Sequence, residues 1–559
     1  MRFRDYPAKD SLMFVVIIGS WILSLLYFNP RLFSLLIGPE NLFAKFGILV
    51  FIMLLNLFWF YGIFYTVIFL FSYFSKKSVQ SLRFSNLPSS LKGCPRAAIL
   101  YPTMNDFRPD AVRSCLEQDY ENFHLFILDD STEDKIKAEI NEFGSKFPDK
   151  VTIIRREERD GYKAGNVNNA LRQIEKDYPC FAISDADGIL PGDFITKLLP
   201  YFSLSPHIAF VQAAQRANPA QKSEFGRELG LNINIHWRRF MSVRNRCGFV
   251  MFYGHGALMR TDVWRETGGF PEVATEDLAY SLKIRARGYQ GIIANEVKCY
   301  EDFPPDYQRF RKRNEKWIRG TAECLKKFFP EFRRSKKVPW FEKLDVFISA
   351  FSLFLPFPFL LFLILVALIL PLYFVNFEIR GPLFLIPVAA GKHLPEILFG
   401  FRYNVFWSWD FYLMMCTAIF YSFIPVAVDL FKRPGRAFSY LAVSTFSSLS
   451  IVVVSSLNFF SYLVTRKAVF PVTGDTKGFS GNSNYKAVFL LEFIFGGVFV
   501  YLALSTKNLW FLSVAFALLL SPLVNILGWE KKWLRPFIYA PMVLTLFIII
   551  LIGLSVWRV

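Results

Sequence analysis

The segment 180–190, CFAISDADGIL, closes a run of small and apolar residues with two carboxylates one residue apart, Asp185 and Asp187. In an extended chain positions i and i+2 share a face, so the two acids can converge. Converging carboxylates repel unless a cation stands between them, and a hard divalent ion that also carries phosphate oxygens meets that need. A turn rich in Asp and Gly is the competing reading of DADG. Two further apolar runs also end in polar residues: Thr103, Asn105 and Asp106 follow AAILYP, and Asp129 and Asp130 follow FHLFIL. Helix capping accounts for one acid per run, and three clusters exceed it. DGYKAGNVNNAL places Lys163 where a loop enters a helix, a position whose free amides favour anions; a solvated lysine is the plain alternative. Glu276 and Asp277 of TEDLAY open an amphipathic helix, where acids need no function.

These groups need a frame. From Pro95 onward short apolar runs alternate with amphipathic stretches, which predicts an α/β sheet, mostly parallel at this end. Ligands of such sheets gather beyond the carboxyl ends of the strands, where the polar clusters fall. The rest of the 559-residue chain is different in kind: it is 53% hydrophobic and 18% aromatic, with 64 Phe. Apolar runs at 12–28, 46–74, about 350–375, about 409–431, 438–464, 486–504, 508–527 and 537–557 are mostly long enough to cross a bilayer core of about 30 Å. The first lacks a cleavage-like site and reads as an anchor. The net charge of +18 suggests nucleic acid only until its lysines and arginines are placed, since they flank the apolar runs as cytoplasmic charges do. A lipid bilayer is the expected partner, and nucleic acid is not.

That charge pattern puts the N-terminus and the polar span in the cytoplasm of a multi-pass protein of the cell (inner or plasma) membrane. Run 438–464, rich in serine, reads as a helix lying at the interface, which keeps the following basic loop inside and leaves seven crossings. The expected organisation is two transmembrane helices in 1–75, a cytoplasmic α/β domain in 76–345, transmembrane helices in 346–435, an interfacial helix and loop in 436–485, and three transmembrane helices in 486–559. The seven cysteines lack CxxC spacing and read as free thiols, and the five histidines lack the spacing of a zinc site.

In order, YPTMND, LDDST, KAGNVNNAL, SDADG, GHGALMR, TED and RNEKWIRG resemble the membrane-bound family 2 glycosyltransferases of the GT-A fold, the group of cellulose synthase and related β-glycan synthases, over about 95–325. The resemblance implies a nucleotide-binding mixed sheet embedded in an α-helical multi-pass membrane protein. It implies a UDP-sugar donor site built from Thr103, Asn105, Asp129, Asp130, Lys163 and Asp185, with Asp129 and Asp130 on the uridine and Lys163 on the diphosphate. Asp185 and Asp187 would carry Mg²⁺ or Mn²⁺ against the leaving diphosphate, and Asp277, with Glu276 beside it, would be the general base.

The sequence departs from the family at the acceptor site. Where Gln-x-x-Arg-Trp is usual it has Arg313, Lys316 and Trp317; the indole remains a sugar platform, while Lys316 lacks the planar fork of arginine. Tyr253 and His255 are expected to line an acceptor subsite, with a structural histidine the alternative. FPVTGDTKG resembles a cellulose synthase gating loop, with Phe470, Val472, Thr473 and Lys477 as its elements; a plain connector is the alternative.

The leading expectation is an inverting, metal-dependent, processive hexosyltransferase that extends a β-glucan-like polysaccharide from a UDP-sugar, UDP-glucose first, and exports it. A glycolipid synthase acting on a lipid acceptor is the second reading, and a catalytically altered nucleotide-sugar sensor or scaffold the third. A transporter is disfavoured because the crossings carry few charges. A regulatory or export subunit is left open.

Overall fold

The computed structural model describes residues 9–37, 41–74, 94–366, 409–421, 423–466, 483–506 and 510–558. Its centre is a seven-stranded sheet: β1 (Ala97–Thr103), β2 (Phe123–Asp129), β3 (Val151–Ile154), β4 (Cys180–Ile183), β5 (Ile208–Ala217), β6 (Ala257–Arg260) and β7 (Gln290–Glu301), in the order β3-β2-β1-β4-β6-β5-β7. β3, β2, β1 and β4 run parallel, β6 is antiparallel to both its neighbours, and β5 and β7 are parallel to each other. This is a GT-A-like mixed α/β sheet, as the motif order implies.

All residues of β1 are buried, the pattern of a strand covered on both faces. Ala97, Ile99 and Tyr101 point into one core with helices Pro109–Leu116 and Asp134–Ser145, while Ala98 and Leu100 point into a second with helix Tyr162–Ile174 and with Trp237, Trp264 and Tyr280. At about 1.5–3 kcal/mol per fully buried large apolar side chain, these two cores hold the strand ends rigid against the cost of desolvating charged groups there.

Register decides what meets at that edge. Thr103 pairs with Asp129, Leu100 with Ile183, and Ile183 with Ala257 across the antiparallel contact. The carboxyl ends of β1, β2 and β4, the amino end of β6 and the carboxyl end of β7 therefore open on one side of the sheet. Gly254 and Gly256 turn the chain into β6 with φ of 84° and 65°, a conformation that glycine adopts without strain.

Outside the sheet the chain is mostly helical. Leu12–Leu36, Leu42–Tyr73, Ala487–Ser505 and Lys532–Leu551 are long and apolar enough to cross a membrane, and three bent pairs pass the same test jointly: Trp340–Phe354 with Pro356–Ile364, Trp409–Ile419 with Phe423–Asp429, and Pro434–Ser450 with Val452–Thr465. Phe511–Leu527 is apolar but shorter. The serine-rich run is thus two helices bent by 44° near Ile451. Its polar groups face the helix Tyr307–Lys327 of the sheet domain: Tyr307 Oη donates to Ser450 Oγ (2.7 Å), Asn314 Nδ2 to Ser455 Oγ (2.8 Å) and Arg319 to Asn458 Oδ1 (3.1 Å). The seven cysteines are free thiols.

Candidate active site

After β1 the chain turns sharply, with Asn105 in the left-handed region at φ 60°. Asn105 Oδ1 accepts from the amides of Thr132 (2.9 Å) and Glu133 (3.1 Å), and its Nδ2 donates to Thr132 Oγ1 (2.7 Å). Thr103 Oγ1 donates to Asp106 (2.9 Å), which also accepts from the Met104 amide (2.7 Å). Both side chains brace the β1 loop against the β2 loop.

Asp129 and Asp130 are buried and each holds an arginine. Arg155 Nε donates to Asp129 (2.7 Å), and Arg156 engages both oxygens of Asp130, its shortest contact 2.7 Å. Arg156 also donates to the carbonyls of Asp160 (2.5 Å) and Tyr162 (3.1 Å), tying the loop before helix Tyr162–Ile174 to the sheet. The tie needs Gly165, where an added Cβ would stand 2.0 Å from the Asp160 carbonyl oxygen. Gly165→Ala is expected to lower stability by about 1–3 kcal/mol, the usual cost of overpacking, and to weaken donor binding as the loop moves. Thermal unfolding and nucleotide titration read the two effects.

The first turn of that helix carries Lys163 into the centre of the site. Its Nζ pairs with Asp185, donates to the Gly254 carbonyl (2.8 Å) and lies 3.7 Å from Glu276. Burial opposes the charge on Lys163, but Asp185 and Glu276 outweigh it and raise its pKa. Asp185 is likewise penalised by burial, yet Lys163 and His255 hold its pKa below the ordinary value. For Asp187 burial and the neighbouring Asp185 outweigh the help of His255 and push it up to about 7. Asp277 is raised by burial and then by Glu276.

His255 enters from the amino end of β6. Its Nε2 lies 3.2 Å from Glu301 Oε2. Burial disfavours the imidazolium, but Glu301, Asp185 and Asp187 raise its pKa to about 9. Gln212 braces this turn, donating to the His255 carbonyl (3.0 Å) and accepting from the Tyr253 amide (3.0 Å). Tyr253 closes the site from the core side, with its hydroxyl on Met241 Sδ (3.0 Å) and its ring 5.0 Å from Trp237.

Tyr253 and His255 thus stand at the turn into β6, and the other acceptor candidates, Arg313, Lys316 and Trp317, sit on helix Tyr307–Lys327. The Arg313 guanidinium lies 4.6 Å over the Trp317 ring and 5.3 Å from Phe303. Trp317 remains 43% exposed, so its indole is open to a sugar ring. The charge of Lys316 reaches both Asp185 and Asp277. Phe470, Val472, Thr473 and Lys477 lie outside the described residues.

One edge thus collects Asp185, Asp187, Glu276, Asp277 and Glu301 around Lys163, His255 and Lys316. Among the described residues no three His, Cys, Asp or Glu side chains converge on one point as a complete metal cage. The pair Asp185 and Asp187 nonetheless fits a divalent ion that is also held by a ligand's own oxygens, because both are half-buried carboxylates and the charge of Asp187 is opposed by Asp185. Sequence reading missed Arg155, Arg156, Gln212 and Glu301; the pair RR straight after VTII was the one available signal.

A sheet of this order, with acids gathered at one edge and an anion-favouring helix start beside them, defines a GT-A-like fold. Residues 107–320 match the family model described as "Glycosyltransferase like family 2", and this domain belongs to that family. Curated relatives include "Probable glucomannan 4-beta-mannosyltransferase 11" of Arabidopsis thaliana, 29% identical over 231 residues, covering 40% of this chain and 52% of the relative. "Probable glucomannan 4-beta-mannosyltransferase 15" of the same plant is 28% identical over 233 residues, covering 41% and 43%. The chain thus spans about half the length of the curated relatives it matches. Among solved structures, a mannosyltransferase from Pyrobaculum calidifontis in complex with GDP-Man and Mn²⁺ is similar at 20% identity and TM-score 0.41, covering 58% of this chain and 86% of that one.

Proposed function

We propose that the chain is a membrane-bound inverting hexosyltransferase that builds a β-linked polysaccharide from a nucleoside-diphosphate sugar. The observation that carries this reading is geometric: Lys163 links Asp185 to Glu276, which sets the neighbouring half-buried Asp277 carboxylate at the same sheet edge as Asp185 and Asp187. A base belongs on one side of the sugar and a charge-stabilising group on the other. The acceptor hydroxyl oxygen attacks the anomeric carbon as the bond to the diphosphate oxygen breaks, and Asp277 takes the hydroxyl proton. The bonding electrons leave with the diphosphate, so an α-linked donor gives a β-linked product. Mg²⁺ or Mn²⁺ held by Asp185 and Asp187 would supply the charge that stabilises this leaving group. Lys163 pairs with Asp185 and would stand beside the same phosphates.

With Asp129 and Asp130 engaged by Arg155 and Arg156, we assign them to shaping the nucleoside end of the pocket. Trp317 stacks the acceptor sugar. The bent helix pair at 434–465 lies along the membrane surface in this reading, which its contacts with the sheet domain support, and the basic residues flanking the apolar runs favour a cytoplasmic domain and N-terminus.

The relatives' names widen the expected sugar from glucose alone to include mannose, so a nucleotide-activated mannose is tested beside UDP-glucose. The purified full chain in lipid nanodiscs, given radiolabelled UDP-glucose or GDP-mannose with Mg²⁺ or Mn²⁺, is expected to incorporate one of them into material retained on a sizing column. Incorporation of a single sugar into lipid would select glycolipid synthesis, and no nucleotide release from either donor would overturn the transferase reading.

A further inference from the structure

Helix Tyr307–Lys327 has two working faces. Arg313, Trp317, Gly320 and Cys324 form one: Gly320 has no room for a Cβ, which would stand 2.5 Å from the Thr275 side chain, and Cys324 Sγ lies 3.0 Å from Thr275 Oγ1. Thr275 directly precedes Glu276 and Asp277, so this face sets the indole platform against the proposed base. A second face is Tyr307, Arg311, Asn314 and Ile318, spaced by four, three and four residues.

That second face is fixed by a charge from an apolar helix. Glu492 is the single Asp, Glu, Lys or Arg of Ala487–Ser505, one of the helices apolar enough to cross a membrane. It accepts two hydrogen bonds from Arg311, at 2.7 and 3.1 Å, and the pair is sealed from solvent with side chains 3% and 0% exposed. Ser521 donates to Glu492 (3.0 Å) and accepts from Arg311 (2.7 Å), and the Tyr307 hydroxyl lies 2.9 Å from Ser521. The node joins the sheet domain to helices Ser483–Thr506 and Trp510–Leu527. Well-packed apolar side chains would join them at least as stably, since burying two charges costs more than such a contact needs. What the bidentate fork adds is a fixed height and rotation of one helix on another.

We infer that Glu492 is a positioning residue for the acceptor: through Arg311 it sets where helix Tyr307–Lys327 presents Trp317 relative to Asp277. The inference rests on the transferase reading above. It separates acceptor from donor, because the donor-side groups Arg156, Lys163, Asp185 and Asp187 stand on the loops after β3 and β4 and on helix Tyr162–Ile174, and not on this helix.

The test uses the full chain in nanodiscs, with whichever of UDP-glucose or GDP-mannose the unmodified protein turns over, and β-1,4-linked mannotetraose or cellotetraose as acceptor. Glu492→Gln and Arg311→Lys are each expected to raise the acceptor KM about tenfold, the scale of one charge-assisted contact, with donor affinity unchanged. Sugar transfer should fall relative to donor hydrolysis by water. Arg311→Lys leaves no charge unpaired and decides the matter alone if Glu492→Gln does not fold. Equal loss of donor affinity, hydrolysis and transfer, or no change in acceptor KM in a folded variant, would overturn the inference. An unmodified protein that neither binds nor turns over a donor would remove the transferase reading and the inference with it.

Discussion

Asp277→Asn should lose glycosyl transfer by about 10²- to 10⁴-fold, the range of a positioned general base, while keeping its affinity for the donor nucleotide. The amide is isosteric, so the Leu278 amide that donates to Asp277 Oδ1 (2.8 Å) keeps an acceptor and the helix start survives. What disappears is the group that accepts the acceptor's proton. The pH dependence carries the same signature. Asp277 works as a carboxylate, and burial with Glu276 raises its pKa, so the rate should fall on acidification at a pH above the ordinary aspartate range of about 4. Initial rates from pH 5 to 8 should show that limb in the unmodified protein and lack it in the variant's residual activity. If the variant loses nucleotide affinity as fully as it loses rate, Asp277 belongs to the donor pocket instead.

Asp185→Asn and Asp187→Asn should each reduce transfer by about 10²- to 10³-fold, the effect of removing one contact that stabilises developing charge. Here donor affinity should fall with the rate, opposite to Asp277. The two acids are also expected to differ from each other. Asp185 anchors Lys163, so its loss leaves a buried ammonium facing Glu276 and should lower thermal stability. Asp187 sits where negative charge is in excess, and its neutralisation should leave stability unchanged or raise it. Titration of Mn²⁺ in the presence of nucleoside diphosphate should show weakened binding in both variants. Intact Mn²⁺ affinity and full activity in chelator would remove the metal from the account.

The parallel half of the sheet was legible because β1, β2 and β4 are short apolar runs that end in acids, and the alternation with helices fixed their direction. The antiparallel β6 was not: GHGALMR reads as a glycine turn, and only the pairing of Ile183 with Ala257 shows that it brings His255 to Asp185. Asp129 and Asp130 were legible as acids at a strand end, but their arginine partners lie 26 residues away on the neighbouring strand's exit, a relation set by strand order. Glu301 ends a twelve-residue strand with a register shift between Ala213 and Ala214 of its neighbour, an irregularity that sequence alternation does not reveal. The serine content of run 438–464 was visible in the sequence, whereas its bend and its partners Tyr307, Asn314 and Arg319 depend on tertiary packing. Glu492 is a single acid in an apolar helix, and its function depends on a residue 181 positions away.

The most direct test of the central claim, that opposed charges at this edge carry out an inverting transfer, is the anomeric configuration of the newly made linkage. The purified chain, supplied with the α-linked donor it selects and a β-1,4-linked tetrasaccharide, should yield a product whose new anomeric proton and carbon signals are β in NMR and whose formation stops in Asp277→Asn. An α-linked product, or a β-linked one that Asp277→Asn still makes at the unmodified rate, would contradict it.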